Sequence, residues 1–184
     1  TKALELKEAQ GGEVVVIHAG LADSEQVIRK ALAIGADSAF RIDMDPTDAY
    51  AVSVEIANHA KTGGYDLVIT GKETIDYNSF EVGGMVAELL DWNAVALVSK
   101  LDVAGGKATA TRDIEGGTET VEISLPAVIC ATKDLAAARI PNMKGIMASR
   151  TKPLTVLAAT GADKLTSIAS YQTPEKAKEC KYVS

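Results

Sequence analysis

Residues 66–72 read Asp-Leu-Val-Ile-Thr-Gly-Lys, and this stretch decides the fold class. A short run of apolar and β-branched side chains that ends at glycine is typical of a strand buried in a parallel sheet. Similar runs occupy residues 13–18, 39–42, 94–99 and 125–130. Segments with helical spacing of apolar residues alternate with the first of these runs. The sequence therefore predicts a three-layer, doubly wound α/β fold with a mainly parallel sheet.

Helical spacing also gives the approximate bounds of the segments between the strands. The first predicted helix starts near Asp23 and ends at Gly35, a typical C-terminal cap. The second covers residues 46–62, with a proline in its first turn. The third covers residues 79–91 and is rich in small side chains. The chain also opens on an amphipathic stretch with no capping residue before it, from which we expect that upstream sequence is absent.

The pattern changes in the last third of the chain. Residues 107–112 and 118–123 alternate in polarity around a Glu-Gly-Gly turn, so they predict a β-hairpin. Residues 139–153 lack periodicity, and a loop of that length in a compact domain is usually functional or mobile. We expect residues 1–160 to form one domain. Residues 161–184 are expected to extend from it as a polar C-terminal arm.

Composition and charge narrow the function classes. A net charge of −6 with scattered lysines offers no electrostatic footprint for nucleic acid or for an anionic membrane. No apolar run approaches the ~20 residues that span a bilayer. The two cysteines and two histidines lack the spacing of metal ligands, so no metal site is predicted. His59 is expected on the surface of a helix. A reducing, cytoplasmic compartment is the expectation, with the mitochondrial matrix left open.

Two loops are expected where strands end and helices begin, the usual nucleotide position in doubly wound sheets. One loop follows Ala19 and Gly20, and the other covers residues 71–82. In the second, Gly71 permits a close backbone approach, and N–H groups at the helix start could hold a phosphate. The stretch matches neither the Walker A pattern nor the dinucleotide glycine pattern. A strand-to-helix turn without any ligand is therefore an equal alternative.

Three stretches resemble the β-subunit of electron transfer flavoproteins. They are residues 28–37, residues 71–92, and the hairpin with the strand after it, residues 110–130. The hairpin is the most specific of the three because it follows the family signature position by position. The resemblance implies a fold like that of the universal stress proteins and adenine-nucleotide α-hydrolases. The family's first strand and the loop after it have no counterpart in this sequence.

The resemblance implies an electron-carrying subunit rather than an enzyme. Together with an α-subunit that bears the redox FAD, it would pass electrons from flavin dehydrogenases, such as acyl-CoA dehydrogenase, to a downstream acceptor. The β-subunit itself would bind AMP or, in bifurcating members, a second FAD. Because Glu81 and Val82 depart from the Gln-Thr pair of many members, both nucleotides stay open. AMP is preferred because the Glu-Gly-Gly turn at residues 115–117 resembles that of the non-bifurcating members. The implied cofactor-binding residues are Ala19, Gly20, Gly71, Lys72, Glu73, Thr74, Ile75, Asp76, Ser79, Phe80, Glu81 and Val82.

Contacts with two partners are implied as well. A recognition loop would insert an apolar side chain into the dehydrogenase, with Met143 at or beside the anchor position. The loop residues are Arg139, Ile140, Pro141, Asn142, Met143, Ile146 and Met147. Arg112 and Asp113 in the hairpin are expected to face the α-subunit, and residues 161–184 to pack on it. The alternatives are that Ile140 and Met143 pack back onto the domain, and that the chain is a stand-alone universal-stress-type adenine-nucleotide-binding module.

Overall fold

A computed structural model describes residues 1–75 and 77–174 of the chain. In chain order its elements are α1 (Lys2–Gln10), β1 (Val15–Ala19), α2 (Glu25–Ile34), β2 (Ser38–Asp43), α3 (Ala49–Gly63), β3 (Leu67–Gly71), α4 (Val82–Leu90), β4 (Asn93–Ala104), β5 (Lys107–Ile114), β6 (Gly117–Ser124), β7 (Ala127–Ala131), α5 (Met143–Ser149) and β8 (Leu154–Ala158). Single 3₁₀ turns precede α2 and follow β7. Strands alternate with helices as far as β4, as the sequence predicts.

The strands form two sheets in which parallel pairing predominates. The first has the order β1-β2-β8 and is parallel throughout. The second has the order β3-β7-β4-β5-β6, with β7 parallel to both of its neighbours and β4, β5 and β6 antiparallel. The predicted α/β class is confirmed, and the helices beside the sheets are consistent with three layers.

The core is centred on β7, whose first four residues are at most 3% exposed. Successive side chains of a strand point to opposite faces, so β7 contributes to two apolar clusters. Ile129 packs with Val95 and Leu101 on one face. Val128 packs with residues of α3 and α4 on the other. The near-continuous apolar run at 125–130 is thus explained by burial on both faces.

A gap separates the two sheets at β1 and β3. Within the described part of the chain, neither strand pairs with another along the edge that faces the gap. An apolar cavity of about 300 Å³ lies there, and residues 14–17 and 67–69 contribute to its walls. Side chains of β1 and β3 are mostly half-buried, whereas those of β7 are buried. The two strands therefore lack the full cover that their apolar composition predicts.

His59 lies on the wall of this cavity, and the prediction that it is a surface residue is wrong. Its ring packs against Phe40 with a centroid distance of 4.4 Å. Its Nε2 and the Tyr65 hydroxyl form a hydrogen bond of 2.9 Å. Burial lowers the pKa of His59 below its ordinary value. The side chain is a half-buried, packed and hydrogen-bonded histidine.

Two helices begin three residues later than the sequence predicts. The second predicted helix begins at Ala49, not at residue 46, because the Asp48 side chain accepts a hydrogen bond from Ala51 N at 2.7 Å. The third predicted helix begins at Val82, not at residue 79. Residues 72–81 therefore form a longer connection between β3 and α4 than the sequence indicates.

Two further elements depart from the prediction. β4 continues to Ala104 and turns into β5 through Gly105 and Gly106, both with positive φ, so a second hairpin precedes the predicted one. Residues 139–153, predicted to be irregular, contain the seven-residue helix α5. The Asn142 side chain caps it by accepting a hydrogen bond from Gly145 N at 2.8 Å.

Candidate functional site

The first turn of α4 lies directly against the carboxyl ends of β3 and β7. Gly83 makes this approach possible, because a Cβ there would lie 2.3 Å from Cys130 Sγ and 2.7 Å from Thr70 Oγ1. Thr70 Oγ1 is buried and has no hydrogen-bond partner in the described structure. The glycine-rich start of α4 is therefore required for packing as well as available for a ligand.

The N-terminus of α4 keeps its backbone donors free of a side-chain cap. Glu81 occupies the N-cap position, but its side chain makes no capping hydrogen bond. Its carbonyl accepts the first helical bond, from Met85 N at 3.0 Å. The N–H groups of residues 82–84 precede that bond and so lack intrahelical partners. Such a helix start favours an anion, although the Glu81 carboxylate would repel a phosphate placed beside it.

The candidate nucleotide loop, residues 71–82, presents charged and apolar groups side by side. Lys72 Nζ and Glu73 Oε1 are 2.8 Å apart, with both side chains more than a third exposed. A hydrogen bond of 2.9 Å from Asn78 N to Thr74 O closes a turn within the loop. Ile75 is 97% exposed. Asp76 lies outside the described residues. A phosphate requires a cation and free backbone donors, and a planar ring requires exposed apolar surface. The loop and the start of α4 provide all three.

The candidate nucleotide loop contacts the chain after β8, the C-terminal segment (residues 159–174). The hydroxyl groups of Tyr77 and Tyr171 are 3.0 Å apart. Phe80 is 47% exposed and Ser79 half-buried. The C-terminal segment therefore reaches the candidate nucleotide loop across the protein surface.

Two buried carboxylates, one capping the start of α3 and one within it, hold this segment in place. Asp48, 1% exposed, accepts hydrogen bonds from Thr166 N at 2.7 Å and Thr166 Oγ1 at 2.6 Å. Glu55, 3% exposed, accepts from Thr160 N at 2.7 Å and Thr160 Oγ1 at 2.8 Å. The Thr166 hydroxyl, followed by the Ala51 amide, lowers the pKa of Asp48 from 3.8 to about 2. Nothing in the local sequence pattern signals these contacts.

Ala19 and Gly20, the other predicted cofactor residues, lie at the carboxyl end of β1. Gly20 N donates to Ile42 O at 3.0 Å, and Gly20 O accepts from Arg41 Nη1 at 2.9 Å. Ion pairs with Asp43 and Glu25 raise the pKa of Arg41. In the described part of the chain, no hydrogen bond or ion pair joins Ala19 or Gly20 to the candidate nucleotide loop. The structure therefore fixes this strand end to β2 through Arg41, a residue that the sequence analysis missed.

The recognition loop, residues 139–147, turns its apolar side chains outward. Ile140 is 91% exposed, Met143 73% and Met147 56%. The alternative that Ile140 and Met143 pack back onto the domain is therefore wrong. Ile146, at 38%, is closer to the body of the protein. Exposed apolar side chains clustered in one ordered loop are typical of a protein-binding site. By exposure, Ile140 is a better anchor candidate than Met143.

Arg112 and Asp113 lie near the end of β5, where they pair with Glu119 and Thr118 of β6. Arg112 Nε donates to Glu119 Oε2. Both side chains of this ion pair are about a third exposed or more, so the pair contributes little to stability. Beside them, Ile114 is 49% exposed. The hairpin end thus combines paired charges with an exposed apolar side chain.

Comparison with known proteins decides the family. The sequence profile of the electron transfer flavoprotein domain matches residues 1–162, which includes both loops and the hairpin. The chain belongs to the electron transfer flavoprotein family. The family suggested by the hairpin and the stretch at 71–92 is thereby confirmed, and flavin is implied in its electron transfer.

Relatives in this family are identical to the chain at about a third of the aligned positions. Electron transfer flavoprotein subunit beta of Syntrophomonas wolfei is 37% identical over 174 residues, which is 94% of this chain and 69% of the relative. The subunit of the same name from Bacillus subtilis is 34% identical over 187 residues, covering 95% and 73% of the two chains. The human subunit beta is 33% identical over 162 residues, covering 85% and 64%.

The described residues show neither a membrane-spanning helix nor a cluster of metal ligands. Among the helices of residues 1–75 and 77–174, none combines the length and the apolar composition needed to cross a bilayer. The same residues contain no group of three or more His, Cys, Asp or Glu side chains placed to hold a metal ion.

Proposed function

We propose that this chain is the β-subunit of a heterodimeric electron transfer flavoprotein. The α-subunit would share the redox FAD with it, and the complex would carry electrons from flavin dehydrogenases, such as acyl-CoA dehydrogenases of fatty acid oxidation, to a downstream acceptor. The observation that carries this proposal is the family match over residues 1–162, with relatives named subunit beta. The bacterial cytoplasm is the proposed compartment, with the mitochondrial matrix as the second.

The test of subunit identity is co-purification. The chain, expressed with its genomic neighbours, is expected to form a 1:1 complex with an FAD-bearing protein. A stable monomer that acquires no flavin-bearing partner would favour the stand-alone nucleotide-binding module instead. In the complex, residues 161–184 and the hairpin end at Arg112 and Asp113 would contact the α-subunit. Leu165, Ile168 and Tyr171, exposed by 67%, 42% and 75%, offer apolar surface for that contact.

The second part of the proposal is that an adenine nucleotide, AMP or FAD, binds at the candidate nucleotide loop. The uncapped start of α4 and the Lys72 ammonium group would hold the phosphate. The cofactor-binding residues are those predicted from the sequence, with Ala19 and Gly20 contributing from the end of β1. AMP is preferred, because the Glu-Gly-Gly turn at residues 115–117 resembles that of the non-bifurcating members.

Release of the nucleotide from the purified heterodimer distinguishes the two cases. One FAD and one AMP per complex would indicate simple transfer, and two FADs would indicate bifurcation. Lys72→Gln should weaken nucleotide retention, whereas Lys61→Gln, on the exposed end of α3, removes the same charge without touching the loop. Equal nucleotide content in both variants would remove Lys72 from the site.

The third part of the proposal is that the recognition loop binds the dehydrogenase through Ile140, with Met143 beside it. Ile140→Ala and Met143→Ala should each raise the KM for the dehydrogenase by about 10-fold, because a central apolar anchor contributes most of the affinity of such a contact. Val27→Ala, on α2 and 61% exposed, is the control for loss of exposed apolar surface elsewhere. Unchanged transfer kinetics in both loop variants would refute the docking role.

A further inference from the structure

Residues 28–37 belong to the stretches that resemble the family, yet the proposed function assigns them no role. In the structure they form most of α2 and the turn after it. This helix packs against α5, and thus against the helical part of the recognition loop. Three observations show how closely the two helices are joined, and a fourth shows that the other end of the loop is attached to α1.

Arg29 of α2 holds the carboxyl end of α5. Its Nη1 donates to Ser149 O and to Lys152 O, both at 2.7 Å. Carbonyl groups in the last turn of a helix have no intrahelical partners and carry the negative end of the helix dipole. A guanidinium group placed there satisfies them and orients the helix end. The side chain spans a sequence separation of 120 residues to make this contact.

Lys152, just after α5, makes the equivalent contact with the carboxyl end of α2. Its Nζ donates to Leu32 O at 3.0 Å and to Ala36 O at 2.6 Å, at the carboxyl end of α2. Each helix end is thus held by a cation that belongs to the other segment. The arrangement fixes both the distance and the relative rotation of α2 and α5, because two separate points of attachment are used.

The backbones of the two helices are also in close contact. A Cβ at Gly145 would lie 2.2 Å from Ala33 O, so the α5 backbone rests directly on that of α2. At the other end of the loop, Arg139 donates to both carboxylate oxygens of Glu8 on α1, at 2.6 and 2.8 Å. The backbone of the loop is attached at both ends, while Ile140 and Met143 project outward.

We propose that Arg29 is a positioning residue for partner docking: it holds α5 against α2 so that the recognition loop keeps its binding conformation before the dehydrogenase arrives. This inference rests on the proposed docking function of that loop. Pre-organisation raises affinity because a loop that occupies its binding conformation only a tenth of the time shows a tenfold higher apparent Kd. The role of Arg29 is therefore in association, not in electron transfer itself.

The test uses the intact heterodimer and an acyl-CoA dehydrogenase reduced by its substrate. Arg29→Gln should raise the KM for the dehydrogenase by about 5- to 10-fold and leave kcat unchanged, since a saturating partner selects the docking conformation. Arg29→Lys keeps a cation that can reach one of the two carbonyls, and it should recover part of the loss. Lys30→Gln, the exposed neighbour on α2, is the matched control for charge and helix position.

A double variant distinguishes positioning from a purely structural role. In an Ile140→Ala background the loop has lost its anchor, so a positioning role predicts that Arg29→Gln causes little further rise in KM. Any loss of thermal stability caused by Arg29→Gln should be the same in both backgrounds. If Ile140→Ala raises KM and Arg29→Gln does not, the positioning role is overturned and the docking role stands. If neither variant affects KM, both are overturned.

Discussion

Replacing Gly83 by alanine tests the closest approach in the candidate site. The new Cβ would lie 2.3 Å from Cys130 Sγ and 2.7 Å from Thr70 Oγ1, both shorter than any normal contact of a Cβ atom. Cys130 is 3% exposed, within a core strand that cannot recede. We therefore expect α4 to shift away from the ends of β3 and β7, and its N-terminus to shift with it.

The change in the free energy of unfolding caused by Gly83→Ala is the sum of two opposing terms. Overpacking a close-packed core by a methyl group costs about 1–3 kcal/mol, and two short contacts place Gly83→Ala in the upper half of that range. The gain in helix propensity from glycine to alanine offsets up to about 1 kcal/mol. The net loss in the free energy of unfolding should be about 1–2 kcal/mol.

Gly84 provides the matched control. It is the next residue of the same helix, and a Cβ there would have no atom within 4 Å. Gly84→Ala should stabilise the chain by about 0.5 kcal/mol, because only the propensity term remains. Urea unfolding followed by the fluorescence of Trp92, the chain's one tryptophan, placed just after α4, measures both variants.

Cys130→Ala supplies the second half of a double-mutant cycle. It removes the Sγ atom that Gly83→Ala meets, so the double variant should recover about 1 kcal/mol of the loss, while Thr70 Oγ1 keeps the rescue partial. Additive effects, or equal stabilities for the alanine variants at positions 83 and 84, would show that α4 does not rest on these strand ends. The nucleotide site built on that contact would then need revision.

Three further predictions concern the C-terminal segment and the sheet edges. Because the pKa of Asp48 in the folded protein is lowered from 3.8 to about 2, the carboxylate stabilises the fold above pH 4, and this contribution is lost as the pH falls towards 2. In urea titrations, the difference in the free energy of unfolding between wild type and Asp48→Asn should therefore shrink between pH 4 and pH 2. Glu55→Leu should release the start of the C-terminal segment, which faster amide exchange at Thr160 would reveal, whereas Glu88→Leu, exposed on α4, should not. In hydrogen-exchange mass spectrometry, β1 and β3 should exchange faster than β7, which is paired along both edges; equal protection would contradict the gap between the sheets.

Much of the fold follows from patterns that are local in sequence. The runs at 13–18, 39–42 and 66–70 become β1, β2 and β3 within a residue or two, and the hairpin turn lies at Glu115 and Gly116 as predicted. Buried parallel strands have this property because burial on both faces demands continuous apolar runs. The helix α5 was not predicted, because seven residues are too few to display helical periodicity. Its stability comes from the Asn142 cap and from packing on α2.

The elements that position the site arise from distant contacts and leave no local pattern. Arg29 reaches carbonyl groups 120 and 123 residues away, and carbonyl groups carry no side-chain signature. The separation of β1 from β3 likewise depends on which strands become neighbours, a property of topology rather than of either strand. Exposure of Ile140 could not be distinguished from burial in advance, because an isoleucine in an irregular segment is compatible with both.

Asp48 connects two parts of the chain that are synthesised far apart in time. It caps the start of α3 through Ala51, yet three of its other hydrogen bonds come from Leu165 and Thr166, about 117 residues later. On the ribosome, α3 would emerge with its carboxylate only partly satisfied and exposed to water. Docking of the late segment completes the cap and buries the charge in one step. A segment made much later thus secures the start of α3, which couples the stability of that helix to a later stage of synthesis.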